Sequence, residues 1–225
     1  MTYNAAIIVA AGGSARMGSI DKTFMNLAGR PLICHSVDTF STSNLFDLIV
    51  VVVAESKYEQ ARNLLSGFIS SKVEIVIGGR RRQDSVRKGL EAISQCTFVA
   101  IHDGARPCVT VDVLKRGLDA VQYSGAVVPA VPVADTFKRI NESSQVLETL
   151  ERNFIRLIQT PQIFEYDLVL RAHKDVLKES PDDAFMVEQI GEPVILFDGD
   201  SDNIKITRPN DLKIAESILI SNRGG

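Results

Sequence analysis

Small residues crowd the end of a short apolar run in this sequence: Ala10-Ala11-Gly12-Gly13-Ser14-Ala15-Arg16-Met17-Gly18 follows directly on Ala6 to Val9. Where a strand runs into such a loop, the backbone can approach a ligand closely and aim its N–H groups at phosphate oxygens. Arg16 within the loop and Lys22 just after it would set cationic heads beside a triphosphate. Two well-known phosphate loops are excluded. No Gly-Lys-Ser/Thr follows, as a Walker A loop requires, and Gly12, Gly13 and Gly18 miss the G-x-G-x-x-G spacing of dinucleotide folds. The other use of these residues is a tight strand-to-helix turn with solvated charges.

Phe98-Val-Ala-Ile101 ends in His102-Asp-Gly-Ala-Arg-Pro107, so Asp103 stands at the carboxyl end of an apolar strand, where open α/β sheets form their ligand crevices. A carboxylate there suits magnesium, which takes one or two carboxylates together with substrate phosphates. Asp202, in Asp198-Gly-Asp-Ser-Asp-Asn203, is a candidate second ligand. Both aspartates could equally cap a helix or form a turn. Gly78-Gly-Arg-Arg-Arg-Gln-Asp-Ser-Val86 is a glycine turn feeding a helix that Asp84 or Ser85 could cap, unless Ser85 bonds a base or ribose. Its three arginines either form a solvated rim or turn toward an anionic cleft. Lys205 and Arg208 precede a helix that Asn210 could cap, and Lys138, Arg152 and Arg156 decorate a polar stretch.

These residues are far apart in the chain, so a scaffold must gather them. Short β-branched runs alternate with longer amphipathic segments, the pattern of strand-helix-strand units wound onto a mostly parallel sheet. Strands are expected over Ala6 to Val9, Leu48 to Val53, Val73 to Ile77, Phe98 to Ile101, Gly125 to Val131 and Val194 to Phe197. Helical periodicity marks Leu32 to Ser41, Lys57 to Gly67, Asp84 to Ser94, Thr110 to Tyr123, Tyr166 to Glu179 and Asn210 to Ser221. From Asp135 to Ile163 the chain turns polar and alternating around Asn141-Glu-Ser-Ser144, which reads as a projecting β-hairpin arm. No repeat or linker-like tract divides the sequence, so the expectation is one α/β domain over residues 1–225 bearing an arm at about 135–163.

Composition narrows the function classes. The 225 residues are 45% hydrophobic and 24% charged, enough to bury a substantial core. The formal charge of -3 offers no global attraction to nucleic acid or to anionic lipid, so neither is expected as a partner and anion binding must be local. No apolar stretch has the length of a membrane span, and the start Met1-Thr-Tyr-Asn lacks signal-peptide features, so a cytoplasmic address is expected. Cys34, Cys96 and Cys108 are spaced for neither a disulfide framework nor a metal site, and His35, His102 and His173 show no zinc-ligand spacing.

Taken in order, the motifs at 10–17, 78–86 and 102–107, Thr160-Pro-Gln162 and Asn203-Ile-Lys-Ile-Thr-Arg-Pro209 resemble the 2-C-methyl-D-erythritol 4-phosphate cytidylyltransferases over almost the whole chain. The resemblance implies a Rossmann-like fold, a homodimer, magnesium, and transfer of CMP from CTP to methylerythritol phosphate with release of pyrophosphate. It also implies roles. Arg16 and Lys22 would hold the triphosphate, with Ala10, Ala11, Gly12 and Gly13 in the loop beside it, while Gly79 and Ser85 would line the cytosine and ribose pocket. Asp103 would serve metal and substrate together. The arm would enter the neighbouring subunit, where Thr136 and Arg152 grip the partner's alcohol phosphate, near Arg106 and Lys205. Two departures stand out: Asp21-Lys22-Thr23 replaces the family's usual Pro-Lys-Gln, and Pro181 stands where a threonine is common.

A ribitol 5-phosphate cytidylyltransferase would share nearly all of these motifs. An NAD-dependent oxidoreductase would share only the opening strand and glycine turn and would leave Lys205 and Arg152 without a task. A catalytically silent nucleotide-binding module would have no need of Arg16, Lys22, Asp103 and Lys205 together.

Overall fold

The computed structural model describes residues 2–12, 22–68 and 72–223. The chain opens with β1 (Asn4–Ala10), a small hairpin of β2 (Asn26–Leu27) and β3 (Arg30–Pro31), α1 (Leu32–Thr42), β4 (Leu48–Val53), α2 (Tyr58–Leu64) and β5 (Val73–Ile77). It continues through α3 (Arg82–Ala92), β6 (Phe98–Asp103), α4 (Val111–Ser124), β7 (Ala126–Pro132), β8 (Lys138–Ile140) and β9 (Val146–Thr149). The remainder is β10 (Arg156–Ile158), β11 (Gln162–Glu165), α5 (Tyr166–Asp175), α6 (Asp183–Gln189), β12 (Ile195–Asp198) and α7 (Pro209–Arg223).

β6, β1, β4 and β5 lie side by side and parallel. On the far side of β6, β11 pairs antiparallel with both β6 and β7, and β10 continues along β7. Val127 and Ala130 each have partners on both sides, so β12 runs parallel along the other edge of β7. Strands enclosed on two faces need apolar side chains at every position, which explains the unbroken Leu48-Ile-Val-Val-Val-Val53 run. Ala6, Ile8, Ile49 and Val51 pack beneath α1, α2 and α4, while Ala5, Ile7, Val50 and Val52 pack beneath α3, α5 and α6. The Rossmann-like layering expected from the sequence is present, as is a projecting hairpin formed by β8 and β9.

The arm is shorter than its sequence suggests. Asn141 closes the β8–β9 turn, its side-chain oxygen accepting from the N–H groups of Ser143 and Gln145. Residues 156–165 then return to the main sheet, where Ile163 and Phe164 are fully buried. Two helix caps also differ from expectation. Arg81 is the N-cap of α3, and its backbone N–H donates to Asp84 Oδ2 at 3.1 Å, so Asp84 reaches back from the first turn. α7 starts at Pro209, and Asp211 rather than Asn210 accepts from the N–H groups of Thr207 and Arg208.

Candidate active site

β1 is flanked by β4 on one side and β6 on the other, so the connections leave it in opposite directions. Crevices form outside the carboxyl ends of strands at such a point. Three loops meet there. Gly104 donates from its N–H to the Val9 carbonyl at 2.9 Å, and a Cβ at Gly104 would stand only 3.0 Å from that oxygen. A Cβ at Gly78 would lie 2.5 Å from Ala11 Cβ, so the loop after β1 and the turn after β5 touch. Ala11 is thereby set against Gly78 and close to Ser85, whose Oγ would lie 2.8 Å from the same Cβ. Ser85 is buried and accepts from the Gly79 N–H at 3.1 Å, so its hydroxyl braces the glycine turn.

Asp103 is the hub of the charged part. Its Oδ1 accepts from Arg82 Nε at 3.1 Å and its Oδ2 from Lys205 Nζ at 2.6 Å. Burial by itself would raise its pKa, but Arg82, Lys205 and Arg106 outweigh burial and hold the carboxyl well below the usual range. Arg82 also pairs through Nη1 with Asp183 Oδ2 at 2.8 Å, and these two carboxylates offset its burial and keep it charged. The residues Arg82, Asp103, Arg106, Gln159, Thr160 and Lys205 line one cavity of about 150 Å3.

Neutral groups fix the backbone behind this hub. The Arg106 carbonyl can only accept, so the proton of His102 sits on Nε2, which donates to that carbonyl at 3.1 Å. His102 Nδ1 is then left to accept from the Thr160 hydroxyl at 3.0 Å, and Thr160 Oγ1 in turn accepts from the Asp103 N–H at 3.0 Å. Burial pushes the His102 pKa down to about 4, which keeps the imidazole neutral at pH 7. Arg106 Nη1 donates to the Asn203 carbonyl at 2.8 Å, and Asn203 Nδ2 to the Thr160 carbonyl at 2.8 Å, which ties the Lys205 loop to β6 and β11.

The family model for IspD, 2-C-methyl-D-erythritol 4-phosphate cytidylyltransferase, matches residues 4–221. The chain belongs to this family. A 2-C-methyl-D-erythritol 4-phosphate cytidylyltransferase from Dehalococcoides mccartyi (strain CBDB1) is 43% identical over 219 residues, covering 97% of this chain and 96% of the relative. One from Caldanaerobacter subterraneus subsp. tengcongensis is 40% identical over 221 residues, 95% of this chain and 97% of that protein. The crystal structure of 4-diphosphocytidyl-2C-methyl-D-erythritol synthase from Anaerococcus prevotii DSM 20548 superposes with a TM-score of 0.87 at 28% identity, covering 97% of this chain and 99% of that one. The structure of the 2-C-methyl-D-erythritol 4-phosphate cytidylyltransferase from Thermus thermophilus gives 0.80 at 31% identity, over 98% and 100% of the two chains. The protein is therefore a nucleotidyltransferase.

Around the cavity the structure brings together Asp103, Arg106 and Lys205, and the turn that carries Gly78 and Gly79, braced by Ser85, stands against the loop after β1. Gly13, Arg16 and the Asp21 departure lie outside the described residues, and Lys22 is described only as the start of a short 3₁₀ turn, Lys22–Phe24. Thr136 and Arg152 are exposed on the arm, away from this chain's own cavity, with Arg152 Nη1 donating to the Ala134 carbonyl at 3.3 Å. Asp202 is exposed in the turn after β12 and does not line the cavity. Among the described residues no group of three or more His, Cys, Asp or Glu could hold a metal ion. Both oxygens of Asp103 are paired, with Arg82 and with Lys205, so a magnesium ion there would share the carboxylate with these cations and take its other ligands from phosphate oxygens and water.

Three partners of the hub lie in stretches that the sequence singles out, though it assigns none of them a role. Arg82 is one of three consecutive arginines, and sequence order does not say which faces inward. Thr160 carries a hydroxyl but no charge. Asp183 follows another acid, Asp182, which caps α6 by accepting from the Phe185 N–H. The Asp-Asp pair before an apolar run was the available signal.

Proposed function

We propose that this chain transfers CMP from CTP to 2-C-methyl-D-erythritol 4-phosphate, giving 4-diphosphocytidyl-2-C-methyl-D-erythritol and pyrophosphate. The observation that carries this reading is the pairing of Lys205 and Arg82 with Asp103, with Arg106 lining the same cavity, at the switch point of a chain that matches the family from residue 4 to 221. An oxygen of the acceptor's phosphate attacks the α-phosphorus of CTP. The new O–P bond forms as the bond from the α-phosphorus to its bridging oxygen breaks, and pyrophosphate leaves with that electron pair. A phosphomonoester has a second pKa of about 6, so it is largely dianionic at neutral pH and needs no general base.

The barrier is repulsion between anions, and the protein's task is positioning with charge neutralisation. At about 5 Å and an effective dielectric near 20, one phosphate-cation pair is worth roughly 3 kcal/mol. Lys205 and Arg106 neutralise the acceptor phosphate, while Arg16 and Lys22 stabilise charge developing on the triphosphate. Ala10 to Gly13, Gly79 and Ser85 surround the nucleoside. A magnesium ion held by Asp103 and phosphate oxygens would supply further positive charge. Thr136 and Arg152 act on the acceptor bound to the partner subunit of a homodimer in the cytoplasm. Among the described residues no helix is long and apolar enough to cross a membrane.

The deciding experiment is pyrophosphate release with magnesium, CTP and methylerythritol phosphate, run against ribitol 5-phosphate and against the other nucleoside triphosphates. Turnover confined to CTP with methylerythritol phosphate is expected. Turnover confined to ribitol phosphate would replace the acceptor.

A further inference from the structure

From Arg82 in the cavity wall a line of side chains runs inward to Asp183 and His173, neither of which the proposed transfer uses. Arg82 is the first residue of α3, and its planar guanidinium holds two carboxylates: Nε donates to Asp103 Oδ1 at 3.1 Å, and Nη1 pairs with Asp183 Oδ2 at 2.8 Å. Asp183 is the first residue of α6, completely buried, and its other oxygen accepts from His173 Nε2 at 3.0 Å. His173 lies in α5 and is also completely buried. At the opposite end, Asp103 Oδ2 takes Lys205, whose side chain is 41% exposed at the cavity mouth.

The backbone of Asp183 is anchored independently. Gln162 Oε1 in β11 accepts from the N–H groups of Asp183 at 3.2 Å and Ala184 at 2.9 Å, while Gln162 Nε2 donates to Asp182 at 2.9 Å. The Asp183 carboxylate is thus not needed to hold α6 in place. Burying two carboxylates and a guanidinium is also a poor way to gain stability, since well-packed apolar residues commonly do as well or better. What this arrangement gives that an apolar cluster would not is direction: one oxygen of Asp103 is fixed, and the other faces Lys205.

We infer that Asp183, seated on His173, is a positioning residue for the transfer. Through Arg82 it sets the Asp103 carboxylate, and through that carboxylate the ammonium of Lys205. The inference rests on the functional reading above for its kinetic consequences and on geometry alone for its structural ones.

The test combines kinetics with structure. Asp183→Asn keeps the backbone anchor and the volume but loses the charge that holds Arg82. Its kcat is expected to fall about ten- to a hundredfold, with KM for CTP within about threefold of the parent, and the melt is expected to stay cooperative but at a lower temperature, because Arg82 loses a buried partner. Arg82→Lys keeps the charge but cannot grip two carboxylates in one plane, and should show the same split. His173→Gln retains a donor to Asp183 and should recover most of the turnover that His173→Leu loses. Parental kcat in Asp183→Asn, or a His173→Leu variant as active as His173→Gln, overturns the inference. The ligand-free crystal structure of Asp183→Asn decides the matter apart from activity: a displaced Lys205 is expected, and an unmoved Asp103–Lys205 pair overturns it. A parent protein that released no pyrophosphate from CTP would instead remove the functional reading, and the crystal structure would still judge the positioning.

Discussion

Lys205 meets Asp103 at 2.6 Å while keeping 41% of its side chain exposed, so it is oriented without being locked into a buried ion pair. A cation held this way is ready to interact with a transferring phosphate before the substrate arrives, with little left to reorganise. Lys205→Ala should therefore lower kcat by about two orders of magnitude, roughly 3 kcal/mol of transition-state stabilisation, with circular dichroism and melting little changed. Full turnover would show that the ammonium takes no part. The thiols lead to a second expectation at this scale. Burial pushes Cys96 and Cys108 up to about 12 and raises Cys34 as well, so each carries less thiolate at any given pH than a free cysteine. At pH 8 a pKa near 12 leaves roughly one thiolate in ten thousand, so a disulfide reagent should modify these cysteines only as the chain unfolds. Rapid labelling of native Cys96 would show that the segment leading into β6 opens readily.

α3 crosses the sheet at close quarters. A Cβ on Gly89 would come within 2.8 Å of Ile7 Cγ2 and 3.1 Å of Val52 Cγ2, both methyls on stiff β-branched side chains. In an exposed helix, glycine to alanine gains up to about 1 kcal/mol. At this contact Gly89→Ala should instead destabilise by about 1–3 kcal/mol, read as a lower denaturant midpoint with an unchanged slope. Strands and helices with long periodic runs were legible because their burial pattern is written continuously in the sequence. β4 is six buried residues in a row, and α4 carries both its cap Thr110 and its terminating Gly125. β11 and α6 were not legible. β11 offers only Ile163 and Phe164 between polar neighbours, and its pairing with β6 and β7 is a property of the assembled sheet. α6 has seven residues and supplies its signal mainly through the Asp182 cap. The candidate site divides similarly. Asp103 follows a strand and Lys205 sits in a recognisable motif, whereas the roles of Arg82 and Asp183 exist only once α3, α6 and β6 are side by side.

Across the whole molecule, large apolar side chains surface on the arm and on the adjoining end of the sheet: Ile140, Leu147, Phe154, Leu157 and Leu196, with Phe154 81% exposed. A patch of this kind, rimmed by Arg152 and Arg156, suits the homodimer proposed above. Sedimentation should give a dimer that Phe154→Ser weakens, and Arg152→Ala should raise KM for the acceptor more than for CTP. Mixing Arg152→Ala with Lys205→Ala subunits should restore part of the activity, and no restoration would confine the arm to its own chain. The net charge of -3 gave no hint of any of this, because cations drawn from α3, the loop after β6 and the segment after β12 are balanced by acids elsewhere. The place of β11 has its own result for biosynthesis. Since, among the described strands, β11 alone pairs with both β6 and β7, a ribosome that has delivered only the first 155 or so residues has made the four-stranded half formed by β6, β1, β4 and β5 and a β7 with none of its sheet partners, and nothing to join them. Translation must proceed some ten residues further before the nascent polypeptide can close its sheet, and stalled products ending short of that point should be prime substrates for proteases.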